Sequence, residues 1–138
     1  MIATTYTFGM IKPHILARNQ VGKIIERLYA HNFQIINLET RRLTKEEAQE
    51  LYKEHQCTPK YPGLIHRMTS RPVVLMILEY TGKTFAWKEW KKLIGANNPV
   101  NAIPGTLRSE FGTSIYDNAV HGSDSEKNAT REINIFFK

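Results

Sequence analysis

Val73-Val74-Leu75-Met76-Ile77-Leu78 is an unbroken apolar run, bounded by Pro72 and Glu79. It is too short for a helix that needs an amphipathic period. Three of its six residues are β-branched, so it reads as a strand buried on both faces. Such a strand must lie inside a sheet, and the chain on either side has to supply its neighbours and covering layers. Upstream, Tyr6-Thr7-Phe8-Gly9-Met10-Ile11 alternates large and small residues and meets Lys12-Pro13, a strand ended by proline. Val21, Ile24, Ile25, Leu28 and Tyr29 recur at helical spacing, predicting a helix over about residues 20–31 with Asn32 as its stop. Phe33 to Leu38 is a strand continuing toward Arg42. Thr44 with Glu47 has the spacing of a capping box, opening a helix to about His55. Cys57 to Gly63 reads as a loop, and Leu64, Ile65 and Met68 as a short helix.

Downstream, Lys83 to Ile94 is helical, with Phe85, Trp87, Trp90 and Leu93 as apolar contacts. Residues 97–120 are rich in Pro, Gly, Asn and Ser and read as irregular. A short helix near Ser125 to Arg131 and a last strand, Ile133 to Phe137, close the chain. The order is satisfied by a four-stranded, mainly antiparallel sheet with helices on one face: a ferredoxin-like α+β fold.

The chain has 138 residues, with 41% hydrophobic and 23% charged. That suits one domain over residues 1–138 and argues against general disorder. Cys57 is the sole cysteine, which excludes an intrachain disulfide and a thiolate metal cage. No apolar run approaches the roughly 20 residues a bilayer crossing needs. Met1 to Tyr6 lacks a basic start followed by a long apolar core, so no secretory leader and a cytoplasmic location are expected. A formal charge of +6 favours anionic partners such as nucleotides or nucleic acid.

Of the five histidines, none is paired at zinc-protease spacing. His31 reads as a helix-end residue and His66 as an exposed helix residue. His121 stands apart, in His121-Gly122-Ser123-Asp124-Ser125-Glu126. Ser123 and Glu126 have capping-box spacing, so the segment could simply start a helix, but that does not account for His121-Gly122. Glycine lets backbone approach a ligand, and neutral imidazole is a competent nucleophile near pH 7. Glu132 is a candidate to hold the second ring nitrogen.

His121 to Ser125, preceded by Asn118, resembles the active-site signature of nucleoside diphosphate kinases. Ile11-Lys12-Pro13 resembles the family's opening motif. Tyr52 and His55 fall on the helix of its phosphate contacts, and Gly95-Ala96-Asn97-Asn98-Pro99 with Pro104 to Arg108 is similar to its central loop and phosphate-binding arginine. The resemblance runs from Tyr6 to Phe137. It implies ping-pong transfer of a γ-phosphate from a nucleoside triphosphate to His121 and then to a nucleoside diphosphate. It also implies that Lys12 and Arg108 carry phosphate charge, that Tyr52 and His55 bond phosphate, and that Asn118 bonds the sugar hydroxyl or phosphate. Ser123 and Glu132 would position His121. Mg2+ would be held chiefly by phosphates and water, with Asp124 supporting it through water. A homo-oligomer is implied, as a dimer, tetramer or hexamer, with a short carboxyl end that weakens contacts made by a longer tail.

Several positions depart from the family pattern. His14 follows Lys12-Pro13 where aspartate is usual. Lys60 occupies the place of a base-stacking aromatic, with Tyr61 adjacent. Lys91 replaces an arginine and Asn97 a threonine. These predict weaker or altered nucleotide affinity and leave base preference open. Two other readings compete: a nucleic-acid-binding module using Tyr6 and Phe8 as stacking residues, and a kinase-like domain that binds nucleotides or partners with weakened catalysis. Salt-sensitive nucleic-acid binding without phosphotransfer would favour the first, and nucleotide binding without phosphohistidine the second.

Overall fold

The computed structural model describes residues 5–137. Strand β1 (Tyr6–Ile11) leads into α1 (Pro13–Ala17) and α2 (Val21–Ala30). Then come β2 (Phe33–Arg41), α3 (Lys45–Leu51), α4 (Tyr61–Thr69) and β3 (Val73–Tyr80). The chain continues through α5 (Ala86–Ile94), α6 (Leu107–Phe111), β4 (Val120–Gly122) and α7 (Glu126–Phe136). The sheet order is β2-β3-β1-β4, with every neighbouring pair antiparallel. β3 is the continuous apolar run, interior to the sheet.

Side-chain alternation along the strands feeds two cores, because successive residues point to opposite faces. Val74, Met76 and Leu78 pack with Ile24, Leu28, Trp90 and Ile94 on one face. Val73, Leu75, Phe8 and Met10 pack with Leu51, Tyr52, Ile65, Met68 and Phe136 on the other. Helices therefore cover both faces, not one as the sequence order suggested. Phe8 is fully buried and stacked on Phe136 at 5.1 Å, so it is not an exposed stacking residue, whereas Tyr6 is half-exposed.

Two sequence assignments are overturned near the chain end. Residues 133–137 form no strand: helix α7 runs unbroken through Phe136. The fourth strand is β4, which starts at the last residue of the stretch read as irregular, and it is only three residues long. α7 is capped by Ser125, whose hydroxyl accepts from the Asn128 N–H at 3.0 Å, not by Ser123. The capping box at α3 is present as read, with Thr44 Oγ1 and Glu47 bonding each other's backbone N–H at 3.1 and 2.9 Å. That helix stops at Leu51, and a 3-10 turn, Lys53–His55, completes the segment.

The position of β4 follows from the glycines. Gly9 pairs with Gly122, and Met10 with His121. A Cβ on Gly122 would lie 2.5 Å from Ile94 Cδ1 and from Trp90 Nε1. One on Gly9 would be 3.0 Å from Trp90 Cζ2. Bare backbone is thus required for β1 and β4 to lie against α5. Alternation then sends His121 to the opposite face, beside Phe8 and Tyr52.

Candidate active site

His121 lies between Phe8 (ring centroids 6.0 Å) and Tyr52 (5.9 Å, edge-on). Its Nε2 is 2.8 Å from Glu132 Oε1, and Ser123 Oγ donates to the same oxygen at 2.8 Å. Glu132 is 4% exposed and Ser123 fully buried. An ionised carboxylate can only accept, so the ring proton resides on Nε2 and the lone pair on Nδ1. The sequence had offered Ser123 two roles; its hydroxyl is spent on Glu132, which makes it a positioning group.

Lys12 and Arg108 form the cationic part of the site. Arg108 is 4% exposed, yet its guanidinium bonds only neutral acceptors. Nε donates to Asn118 O (3.3 Å) and Nη2 to Val120 O (2.9 Å). Nη1 donates to Gly95 O (3.1 Å) and Asn97 Oδ1 (2.9 Å). Lys12 is 7% exposed at the end of β1. Among the described residues, neither has a carboxylate within ion-pair distance. Burial lowers Arg108 to about 10. Burial, and then the neighbouring Arg108 charge, lowers the Lys12 ammonium to about 7. Lys91 is also held below the ordinary lysine range, by burial and Arg108. Asp117 opposes the shift of Lys12 only from a distance, and two buried cations without an ion-paired carboxylate are costly without an anion between them.

These groups line one continuous cleft. An outer lobe of about 420 Å³ is bounded by Lys12, Tyr52, His55, Lys60, Asn97, Arg108, Ile115, Tyr116, Asn118 and His121. An inner lobe of about 230 Å³ shares Tyr52, His55, Asn97, Arg108 and His121 and adds Lys91, Asp124 and Glu132. Every site residue named from the sequence thus lines one lobe or the other, except Ser123, which lies behind Glu132. Tyr52 is buried with its hydroxyl unpartnered, and burial raises its phenol above the ordinary value. Asn118 gives its Nδ2 to Asn97 O at 3.0 Å, leaving a buried, unpartnered Oδ1. Tyr61 faces a different groove with Lys45 and Gln49, so of the pair Lys60 and Tyr61 only Lys60 lines the cleft.

Tyr116 was not singled out in the sequence. It lies in the stretch read as irregular, where periodicity carries no signal. Its ring lies under Arg67 (4.6 Å) and Lys60 (5.6 Å) at the cleft mouth. Asp124 is exposed and accepts from Asn128 Nδ2 at 2.6 Å. Among the described residues no three His, Cys, Asp or Glu side chains gather to hold a metal. No helix among them is long and apolar enough to cross a membrane.

Known proteins share this sequence and fold. A nucleoside diphosphate kinase family model matches residues 5–138. A nucleoside diphosphate kinase of Thermosynechococcus vestitus is 44% identical over 132 residues, covering 96% of this chain and 86% of that protein. The crystal structure of an apo nucleoside diphosphate kinase from Encephalitozoon cuniculi superposes with a TM-score of 0.91 at 30% identity, over 97% of this chain and 89% of that one. A halophilic nucleoside diphosphate kinase from Halobacterium salinarum, solved in complex with CDP, gives 0.90 at 35% identity, over 96% and 87%. With a family match over the described fold and 44% identity across nearly its whole length, the chain belongs to the nucleoside diphosphate kinase family.

Proposed function

We propose that this chain moves the γ-phosphoryl group of a nucleoside triphosphate to a nucleoside diphosphate through Nδ1 of His121. The observation that supports it is an imidazole fixed by a buried carboxylate beside two buried cations without anionic partners. In the first step Nδ1 attacks the γ-phosphorus in line, an N–P bond forms, and the bond to the β,γ-bridging oxygen breaks. The diphosphate leaves with that electron pair. In the second, a terminal oxygen of another diphosphate attacks the same phosphorus and the N–P bond breaks. The Nε2 proton stays on the ring throughout, and Glu132 offsets the positive charge that builds there. Lys12 and Arg108 stabilise the equatorial oxygens, where charge spreads during phosphoryl transfer. Both are already seated, so little reorganisation is needed.

Tyr52 and His55 donate to phosphate, and Lys91 adds charge at the inner lobe. Asn118 keeps an unpartnered Oδ1 and a second Nδ2 hydrogen, which suits a sugar hydroxyl or a phosphate oxygen. We assign magnesium as the cation. Asp124, an exposed carboxylate at the inner lobe with no cluster of ligands around it among the described residues, fits an ion carried in on phosphate oxygens and supported through water, and not one caged by the protein. Bound there, the cation would neutralise phosphate charge. Lys60 supplies no base-stacking face, so weaker or altered base grip is expected.

The chain is read as a single functional domain. A homo-oligomer is supported by Ile36 and Leu38, 50% and 41% exposed on edge strand β2, and by Val100 and Ile103, 87% and 74% exposed. We assign the cytoplasm, where nucleotides are plentiful. The test is incubation with γ-labelled ATP and magnesium. Acid-labile, base-stable label should appear, pass to added GDP and vanish in His121→Ala. A folded protein that binds ATP without labelling would sink this reading and favour a binding domain with weakened catalysis.

A further inference from the structure

The turn before β4 contains a residue in an unusual conformation. Ala119 has φ of 76°, the left-handed region that an alanine rarely occupies. Its carbonyl accepts from the Lys12 backbone N–H at 2.9 Å. Its own N–H donates to Nε2 of His14 at 3.0 Å, a buried bond between residues 105 apart in sequence. The carbonyls on either side of it, Asn118 O and Val120 O, are two of the acceptors that seat Arg108. The conformation of one residue therefore aims both carbonyls at the guanidinium, places the Asn118 amide and starts the strand bearing His121.

We propose that His14 is a positioning residue for the phosphate site, holding Ala119 left-handed and so fixing Arg108 and β4. The ring is 5% exposed and its Nδ1 has no partner, so the bond from Ala119 is the polar contact that orients it. His14 follows Lys12-Pro13 directly, so the segment presenting the phosphate-binding lysine also carries the acceptor. To accept at Nε2 the imidazole must be neutral, with its proton on Nδ1. Burial keeps it so, lowering it to about 4. The charged groups around it are Asp117 on the loop before Ala119, which opposes this, and Arg18, Lys12 and Arg71, which reinforce it.

This inference rests on the proposed phosphohistidine reading, and the experiment separates the two. Single-turnover labelling by γ-labelled ATP is compared in wild type, His14→Leu and His14→Gln, each checked for native circular dichroism. His14→Leu removes the acceptor and keeps much of the bulk; kcat/KM should fall roughly tenfold or more. His14→Gln places a carbonyl oxygen near the Nε2 position and should recover to within about threefold of wild type. A loss due only to packing would not be restored by the polar glutamine. Wild-type labelling in His14→Leu overturns the proposal. Absence of labelling in wild type would instead overturn the kinase reading. In that case, or if His14→Leu does not fold, long-range 15N–1H spectra of the wild type decide. A bare Nε2 near neutral pH supports the role, and a proton on Nε2 overturns it.

Discussion

Lys12→Met should make the free protein more stable and abolish its response to nucleotide. The ammonium is buried beside Arg108 without a carboxylate partner. In the unfolded chain it titrates at its ordinary 10.5, and in the folded one at about 7. Above pH 10.5 both forms are neutral and ionisation costs nothing. As pH falls through the window to 7, the unfolded lysine holds a proton that the folded one lacks, so lysine costs increasing stability. Below 7 that cost is constant. At ~1.4 kcal/mol per unit the ceiling is about 5 kcal/mol; relaxation around a buried charge leaves about 2 kcal/mol as the expected gain. For a chain of this length that raises Tm by roughly 6–10 °C. The assay is thermal melting of wild type and Lys12→Met at pH 6 and 10.5, at one protein concentration, with and without ADP and magnesium. Saturating nucleotide should raise the wild-type Tm and leave the variant unmoved. An equal Tm difference at pH 6 and 10.5 would refute the argument, since packing alone would then account for it. A variant destabilised at pH 6 would refute it more directly.

Tyr52→Phe removes a buried hydroxyl that has no partner in the free protein. Stability by urea unfolding should hold or rise by about 1 kcal/mol, while ADP affinity by calorimetry drops about tenfold. Glu132→Gln keeps the bond to His121 but loses the charge opposite the imidazolium; quench-flow labelling should slow at least about tenfold. Ser123→Ala should cost about 1 kcal/mol in unfolding free energy and a smaller factor in rate, because its hydroxyl acts only through Glu132. His14 titrates at 6.5 when unfolded and about 4 when folded, so wild-type stability falls as pH drops through that window. His14→Gln should remove about 1–2 kcal/mol of that loss, seen as a flatter acid limb in melts from pH 7 to 4.

The interior strand, the first strand and the capped α3 were legible because each obeys a local rule without exception. The last helix was not, and the reason is functional. Its buried stripe runs Ala129, Glu132, Phe136, so a carboxylate stands where periodicity expects an apolar side chain. With that position discounted, Ile133, Ile135 and Phe137 alternate like a strand. The short β4 was missed because three residues including a glycine carry no period, and neighbours far along the chain hold them in place. That His121, Glu132, Lys12 and Arg108 belong together was legible through motif order and resemblance, and the structure brings them to one cleft. The partner of His14 was not, since nothing in the sequence signals a backbone bond across 105 residues or a left-handed alanine.

The missing side chain at Gly122 has a mechanical corollary. Behind the strand that bears the imidazole stand Trp90, fully buried, and Ile94; ahead of it Glu132 grips the ring. The His121 ring can neither recoil nor advance far, so this wall of the cleft acts as an anvil. The opposite wall is softer: Lys60, Arg67, Ile115 and Tyr116 are exposed, with Lys60 and Arg67 meeting Tyr116 through cation–π contacts. In the proposed reaction, adaptation to nucleotides of different size would fall to that outer rim, and the reacting phosphorus would meet the same fixed ring.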